Sequence, residues 1–205
     1  MKKVLIVLVM ITLLMTGAVA CAEELPSPTI PTTVTAEITG ANGEATDGFE
    51  VYLVAETEIS TELVNQIQTF VQTDSVINFF GTDVLEKTVE FLPENYEAEN
   101  LMLAELYTLT DENYSAAFGE VEAKFVFATQ YTEDDVLLGM VGFVDDAFAA
   151  SDSEEASETE AAIEWIPVPT AVNEGNVAVT LSQEVLQRIA DGESAVFVLL
   201  QGVKE

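Results

Sequence analysis

Short runs of β-type patterning fill most of the chain, broken at two places by helical spacing. Val34 to Thr39 and Phe49 to Ala55 are rich in β-branched and apolar residues. They flank Gly40-Ala41-Asn42-Gly43, a turn-forming sequence, which predicts a hairpin or paired strands. Leu63, Val64, Ile67, Phe70 and Val71 then recur at helical spacing and form one apolar face. Ser60 reads as the N-cap of this helix, and Glu62 lies in the first turn, where a carboxylate suits the helix dipole. Val76 to Phe80, closed by Gly81, reads as a short apolar strand; Leu101 to Leu109 fits either strand or helix, and strand is the preferred reading. Val121 to Thr129 and Val136 to Val144 alternate or run apolar around Tyr131-Thr132-Glu133-Asp134-Asp135, which predicts a hairpin.

The C-terminal part repeats the earlier order. Ile163 to Val172 and Val177 to Leu181 flank Asn173-Glu174-Gly175-Asn176, a second hairpin turn, and Pro167 and Pro169 push the first of these strands to a sheet edge. Ser182 caps a helix with Glu184 in its first turn and Val185, Leu186 and Ile189 on its apolar face, ended by Asp191-Gly192. Ala195 to Leu200 is unbroken apolar, the pattern of a strand buried on both faces. Ile59 to Ile67 and Leu181 to Ile189 align without gaps, with three identities and three apolar matches. The alignment suggests a duplicated strand-strand-helix-strand unit, against the alternative that caps and amphipathic spacing recur in unrelated helices. The fold class is therefore α+β and β-rich, antiparallel sheet carrying two short helices.

Two stretches have nothing to bury. Residues 21–33 hold Pro26, Pro28 and Pro31 among Ser, Thr and Glu, the composition of an extended stalk. Residues 151–162 are Ser, Glu, Thr and Ala with no large apolar side chain, an acidic loop. They bound a β-rich region over 34–150 and a C-terminal hairpin-helix-strand unit over 163–205.

The first twenty residues read as an export signal: Lys2 and Lys3, an apolar run from Val4 to Met15, then small residues up to Ala20. That run is shorter than the roughly 20 residues a membrane span needs. Ala18-Val19-Ala20-Cys21 resembles the lipobox of bacterial lipoproteins, with Ala18 where Leu is usual, and the resemblance implies lipidation of Cys21. Ala18-Val19-Ala20 and Ala20-Cys21-Ala22 also fit ordinary signal-peptidase sites, so an anchored and a released form both stand. With its acidic body, the chain resembles exported or lipid-anchored bacterial proteins, a likeness that carries no activity with it.

Charge and composition then remove whole classes of function. Thirty-seven Asp and Glu oppose six Lys and Arg, a net charge of −31 that becomes −33 once Lys2 and Lys3 are cleaved away. Nucleic acid and anionic lipid surfaces would be repelled, so membrane association is expected only through the signal or a lipid. The absence of histidine excludes Ser-His-Asp, Cys-His and His-zinc sites, and no phosphate-binding glycine loop occurs. What remains is carboxylate or oxygen-ligand chemistry. If the central hairpin turns near Glu133, Glu120 and Glu122 lie close to Asp145 and Asp146 at its open end. That arrangement suits calcium, or an acid-base pair for glycoside hydrolysis, or simply a solvated acidic loop. Tyr96, Tyr107, Tyr114, Tyr131 and Trp165 offer a sugar- or peptide-stacking face unless they are buried in the sheet, and Phe79, Phe80, Phe125 and Phe127 are assigned to the core. The expectation is a non-catalytic extracellular or cell-envelope interaction or structural protein without a catalytic residue, with calcium as its only candidate cofactor. The alternative is a secreted, carboxylate-dependent hydrolase of glycosidase type.

Overall fold

The computed structural model describes residues 33–40, 46–94, 96–144 and 163–202. Two antiparallel sheets carry the fold. The larger is ordered β1 (Thr33–Thr35), β3 (Glu50–Val54), β4 (Leu101–Glu112), β10 (Ser194–Gly202), β6 (Leu137–Val144) and β7 (Glu164–Val168). The smaller runs β2 (Glu37–Gly40), β5 (Val121–Phe125), β9 (Asn176–Leu181) and β8 (Thr170–Asn173).

The sheets are stitched together along both sides by chain runs that change sheet midway. Residues 33–40 pair with β3 in their first half and with β5 in their second, and the break at Ala36 is held by its N–H on the Val51 carbonyl at 3.0 Å. Residues 164–173 pair with β6 and then with β9, and their break is Pro169. Proline cannot continue a ladder as a donor, but the Pro169 carbonyl still accepts the Thr180 N–H at 2.9 Å. Thr170 fixes the corner by donating to the Val168 carbonyl and accepting from Gly139 N–H. Strands that switch sheets make the corners of such a sandwich and leave little open edge.

β10 is central, between β4 and β6, and its alternation feeds two cores. Ala195, Phe197 and Leu199 face the smaller sheet, where they meet Phe125, Val179 and Leu181. Val196, Val198 and Leu200 face a helical layer, meeting Leu63, Ile67, Ile77 and Phe80. That layer consists of α1 (Glu58–Phe70), a 3₁₀ turn at Val76–Phe80, and α2 (Thr82–Thr88). The third helix, α3 (Gln183–Ala190), places Val185, Leu186 and Ile189 in the core between the sheets. Ser182 caps it by accepting the Val185 N–H. The hairpin turn before it is two residues, Glu174 and Gly175, both at positive φ (53° and 82°), as a type I′ turn requires.

Several expectations change. The hairpin joining Val121–Thr129 to Val136–Val144 does not form: β5 lies in the smaller sheet and β6 in the larger. The reason lies in their patterning. β5 alternates, with Glu122 and Lys124 pointing away from a core that takes Val121, Ala123 and Phe125, whereas all eight residues of β6 are buried. Only the larger sheet has a layer on each face, so β6 belongs there. Val76–Phe80 is a 3₁₀ turn, burying Val76, Ile77 and Phe80 on one side. The N-cap of α1 is Thr57; Ser60 is its partner in a reciprocal capping box, with Ser60 N–H on Thr57 Oγ1 at 3.2 Å and Thr57 N–H on Ser60 Oγ at 2.9 Å. The two supposed copies agree in a first run that crosses from the larger sheet to the smaller and diverge after it. β3 returns to the larger sheet and its helix leads to a 3₁₀ turn, while β9 stays in the smaller sheet and its helix leads to the central strand. The Gly40–Gly43 turn falls mostly outside the described residues.

Candidate functional site

The four carboxylates considered for calcium lose the hairpin that assembled them. Glu120 is exposed just before β5, and Glu122 faces outward from the smaller sheet, 3.4 Å from Lys124 Nζ. Asp145 and Asp146 lie outside the described residues. Among the described residues no three carboxylate, cysteine or histidine side chains gather as a metal site. The aromatic candidates do not share a face either. Trp165 packs under the helices against Phe80 at 4.7 Å, Tyr107 and Tyr131 sit between the sheets, and Tyr114 lies tilted against Phe49 with centroids 5.5 Å apart. Phe80, Phe125 and Phe127 are buried as assigned, while Phe79 is only half-buried.

Two carboxylates that drew no attention in the sequence face the interior of the sandwich, both on β4. Alternation places Glu105 on the same face as Tyr107, Leu109 and Asp111, and a bulge at Ala104, where the partner of Leu199 is Glu105 and that of Leu200 is Leu103, puts Leu101 and Leu103 on the other face. Glu105 accepts hydrogen bonds from Tyr107 Oη at 3.0 Å, Thr129 Oγ1 at 3.0 Å and Tyr131 Oη at 3.2 Å. Burial, then the Glu105 charge, raises the pKa of both tyrosines, so they stay protonated donors. This cluster pins the long β5–β6 connection to β4. Asp111 has the opposite surroundings: its Oδ2 is buried without a hydrogen-bond partner among the described residues, and desolvation pushes its carboxyl up to about 6. The buried hydroxyls of nearby Tyr114 and of Thr46 likewise find no partner among the described residues.

Arg188, the chain's only arginine, is fully engaged. Its guanidinium lies 3.7 Å over the Phe143 ring and pairs with Glu193 at 2.7 Å and Glu164 at 2.8 Å, tying α3 to the starts of β7 and β10. These bonds raise its pKa, Glu193 first.

A recess of about 390 Å³ opens to solvent along α1, lined by Glu62, Asn65, Gln66, Thr69, Phe70 and Phe79. The first five recur at three- and four-residue steps, so they form one stripe on the helix. Phe79 is brought opposite by the tight link after α1. Asp74 accepts from Ser75 N–H at 2.7 Å and from Asn78 Nδ2 at 2.8 Å, bonds that lower its pKa, the Asn78 bond most. Phe70 and Phe79 then meet at 76° with centroids 5.5 Å apart, and Phe79 continues through Phe80 to Trp165. The ring floor of the groove is thereby anchored in the core. Gln66 Nε2 donates to Glu62 Oε1 at 3.2 Å, and Thr69 Oγ1 to the Asn65 carbonyl at 2.9 Å. The sequence pattern assigned Phe70 to the apolar face of the helix and Phe79 to the core; the polar stripe beside them was the signal for a groove.

The fold defines a mixed α+β protein of two antiparallel sheets with a few short helices, and no helix among the described residues is long and apolar enough to cross a membrane. Compared with known protein families, curated proteins and solved structures, the chain finds no match.

Proposed function

We propose that the protein is a non-catalytic module exported to the cell surface or envelope, tethered through Cys21 where that residue is lipidated, and that it binds its ligand in the α1 groove. The Lys2 to Cys21 pattern and the acidic body support export. The observation that carries the non-catalytic reading is the spacing of the interior carboxylates. Glu105 and Asp111 share a face of one strand six residues apart, about 20 Å at the rise of an extended chain. Glycoside hydrolysis needs its two carboxyls within roughly 5 to 10 Å. Asp111 is the observation that favours the hydrolase reading, because a carboxyl titrating near 6 suits a general acid; the carboxylate that shares its interior face of β4 is the distant Glu105, while the adjacent Glu112 alternates to the opposite face.

Two measurements test the proposal. Cell fractionation with intact-mass analysis is expected to find the protein in the envelope or medium without its first twenty residues, acylated if anchored. A cytoplasmic form retaining Met1 overturns export. Incubation with aryl glycosides is expected to give no turnover; release of the aryl group that Asp111→Asn abolishes overturns the non-catalytic reading.

A further inference from the structure

We infer that the α1 groove takes a neutral saccharide, an inference that rests on the binding-module reading above and gives the ligand its chemistry. The side chains around the groove are selective. In a chain with 37 acidic residues, the stripe from Glu62 to Phe70 presents one carboxylate, two amides and a hydroxyl beside two half-buried rings. Carboxylate and amide groups are planar and give or take two hydrogen bonds side by side, which matches adjacent sugar hydroxyls. An aromatic ring next to them offers its face to the apolar C–H side of a pyranose.

Charge narrows the choice further. A strongly anionic body repels anionic ligands, and the groove presents a single carboxylate, which accepts the Gln66 amide. A neutral polyol avoids that repulsion. It also tolerates the openness of the groove, because saccharide hydroxyls that remain outside stay hydrated. The rings need no rearrangement to receive it, since Phe79 is locked between Phe70 and the buried Phe80; pre-ordering of this kind lowers the cost of binding.

The test is a titration of the ¹⁵N-labelled mature protein with maltotetraose, cellotetraose and chitotetraose, and separately with a Lys-Phe-Lys tripeptide, following amide shifts. Saturable changes confined to residues 62–70 and 76–81 with at least one tetrasaccharide are expected. Gln66→Ala and Asn65→Ala, at the surface and without a part in the core, are each expected to weaken that binding roughly tenfold, the effect of about one net hydrogen bond. Phe79→Ala should abolish it, with the melting temperature of each variant measured alongside. If the tripeptide saturates these residues and no tetrasaccharide does, the saccharide inference is overturned while the binding module stands. If neither perturbs the groove, both fall.

Discussion

Glu105 and Asp111 sit on the same face of the same strand, six residues apart, and the interior treats them in opposite ways. Glu105 is met by three hydroxyl donors, whereas Asp111 keeps a buried oxygen without a partner among the described residues and holds its proton up to about 6. Neither has a cation as its counterweight in the bonds that hold it. The difference teaches that, in this interior, donors decide whether a buried carboxylate is a support or a liability. Three hydroxyls donate to the Glu105 carboxylate, which leaves its polar atoms partnered inside the sandwich.

Removing the wall that backs both carboxylates should have the largest effect. β10 pairs with β4 along its whole length and fills both cores. Each fully buried large side chain contributes roughly 1.5 to 3 kcal/mol, so losing Val196, Phe197, Val198, Leu199 and Leu200 together exceeds the stability of an ordinary domain, about 5 to 15 kcal/mol. Deletion of residues 195–205 is expected to leave no cooperative melting transition by circular dichroism; a truncated protein that melts near the full-length temperature would disprove the central strand.

Next in size is the loss of the satisfied carboxylate. Glu105→Ala strands the Tyr107 and Tyr131 hydroxyls between the sheets and frees the β5–β6 connection, at a cost of about 2 to 4 kcal/mol. In urea unfolding this should appear as a lower midpoint with unchanged slope.

Asp111→Asn should act in the other direction, and its sign depends on pH. The folded protein binds this proton more tightly than the unfolded chain, because burial moves the carboxyl from 3.8 to about 6. Raising the pH through this interval therefore removes stability, and the penalty is complete above about 6 and absent below about 4. The asparagine variant lacks the penalty. It should be more stable than wild type at pH 7 by about 1 to 2 kcal/mol, the full linkage value being discounted because the group is only half-buried. The two proteins should converge at acidic pH; parallel stability curves from pH 3 to 8 would remove Asp111 as the cause.

The smallest and sharpest contrast is between two tyrosines. Tyr131→Phe deletes a donor to Glu105 and should cost about 1 kcal/mol, whereas Tyr114→Phe deletes a hydroxyl with no partner among the described residues and should stay within roughly 0.5 kcal/mol of wild type. Thermal denaturation resolves the two, since 1 kcal/mol moves the midpoint by about 2 to 4 °C at this size. Equal losses would mean that the two interior environments do not differ as described.

Much of this architecture was legible from spacing alone. An unbroken apolar run placed β10 in the middle of a sheet, the prolines placed β7 and β8 at the edges, and Ser182 with Val185, Leu186 and Ile189 defined α3. Patterning shows how many faces of a strand are buried, but not which strand lies beside it. Val121–Phe125 and Leu137–Val144 were therefore joined by proximity in sequence although their burial patterns assign them to different sheets. Glu105 was hidden for a related reason. Strict alternation sets it in one row with Leu101 and Leu103 as well as with Tyr107 and Leu109, and only the bulge at Ala104, a tertiary adjustment to β10, separates the two halves of that row. The capping box escaped because its third residue is Ser60, where the usual pattern has Glu or Gln. Of the groove, the helix stripe could be read, but the approach of Phe79 required knowing that Val76–Phe80 coils instead of extending.

The run at residues 33–40 also determines how the domain meets a mechanical load. Tension on the chain preceding Thr33 enters first at β1, an edge strand paired to β3 over three residues, and reaches the β2–β5 ladder of the other sheet only through it. A pull from that end would therefore have to part β1 from the larger sheet before it loaded the smaller one in full.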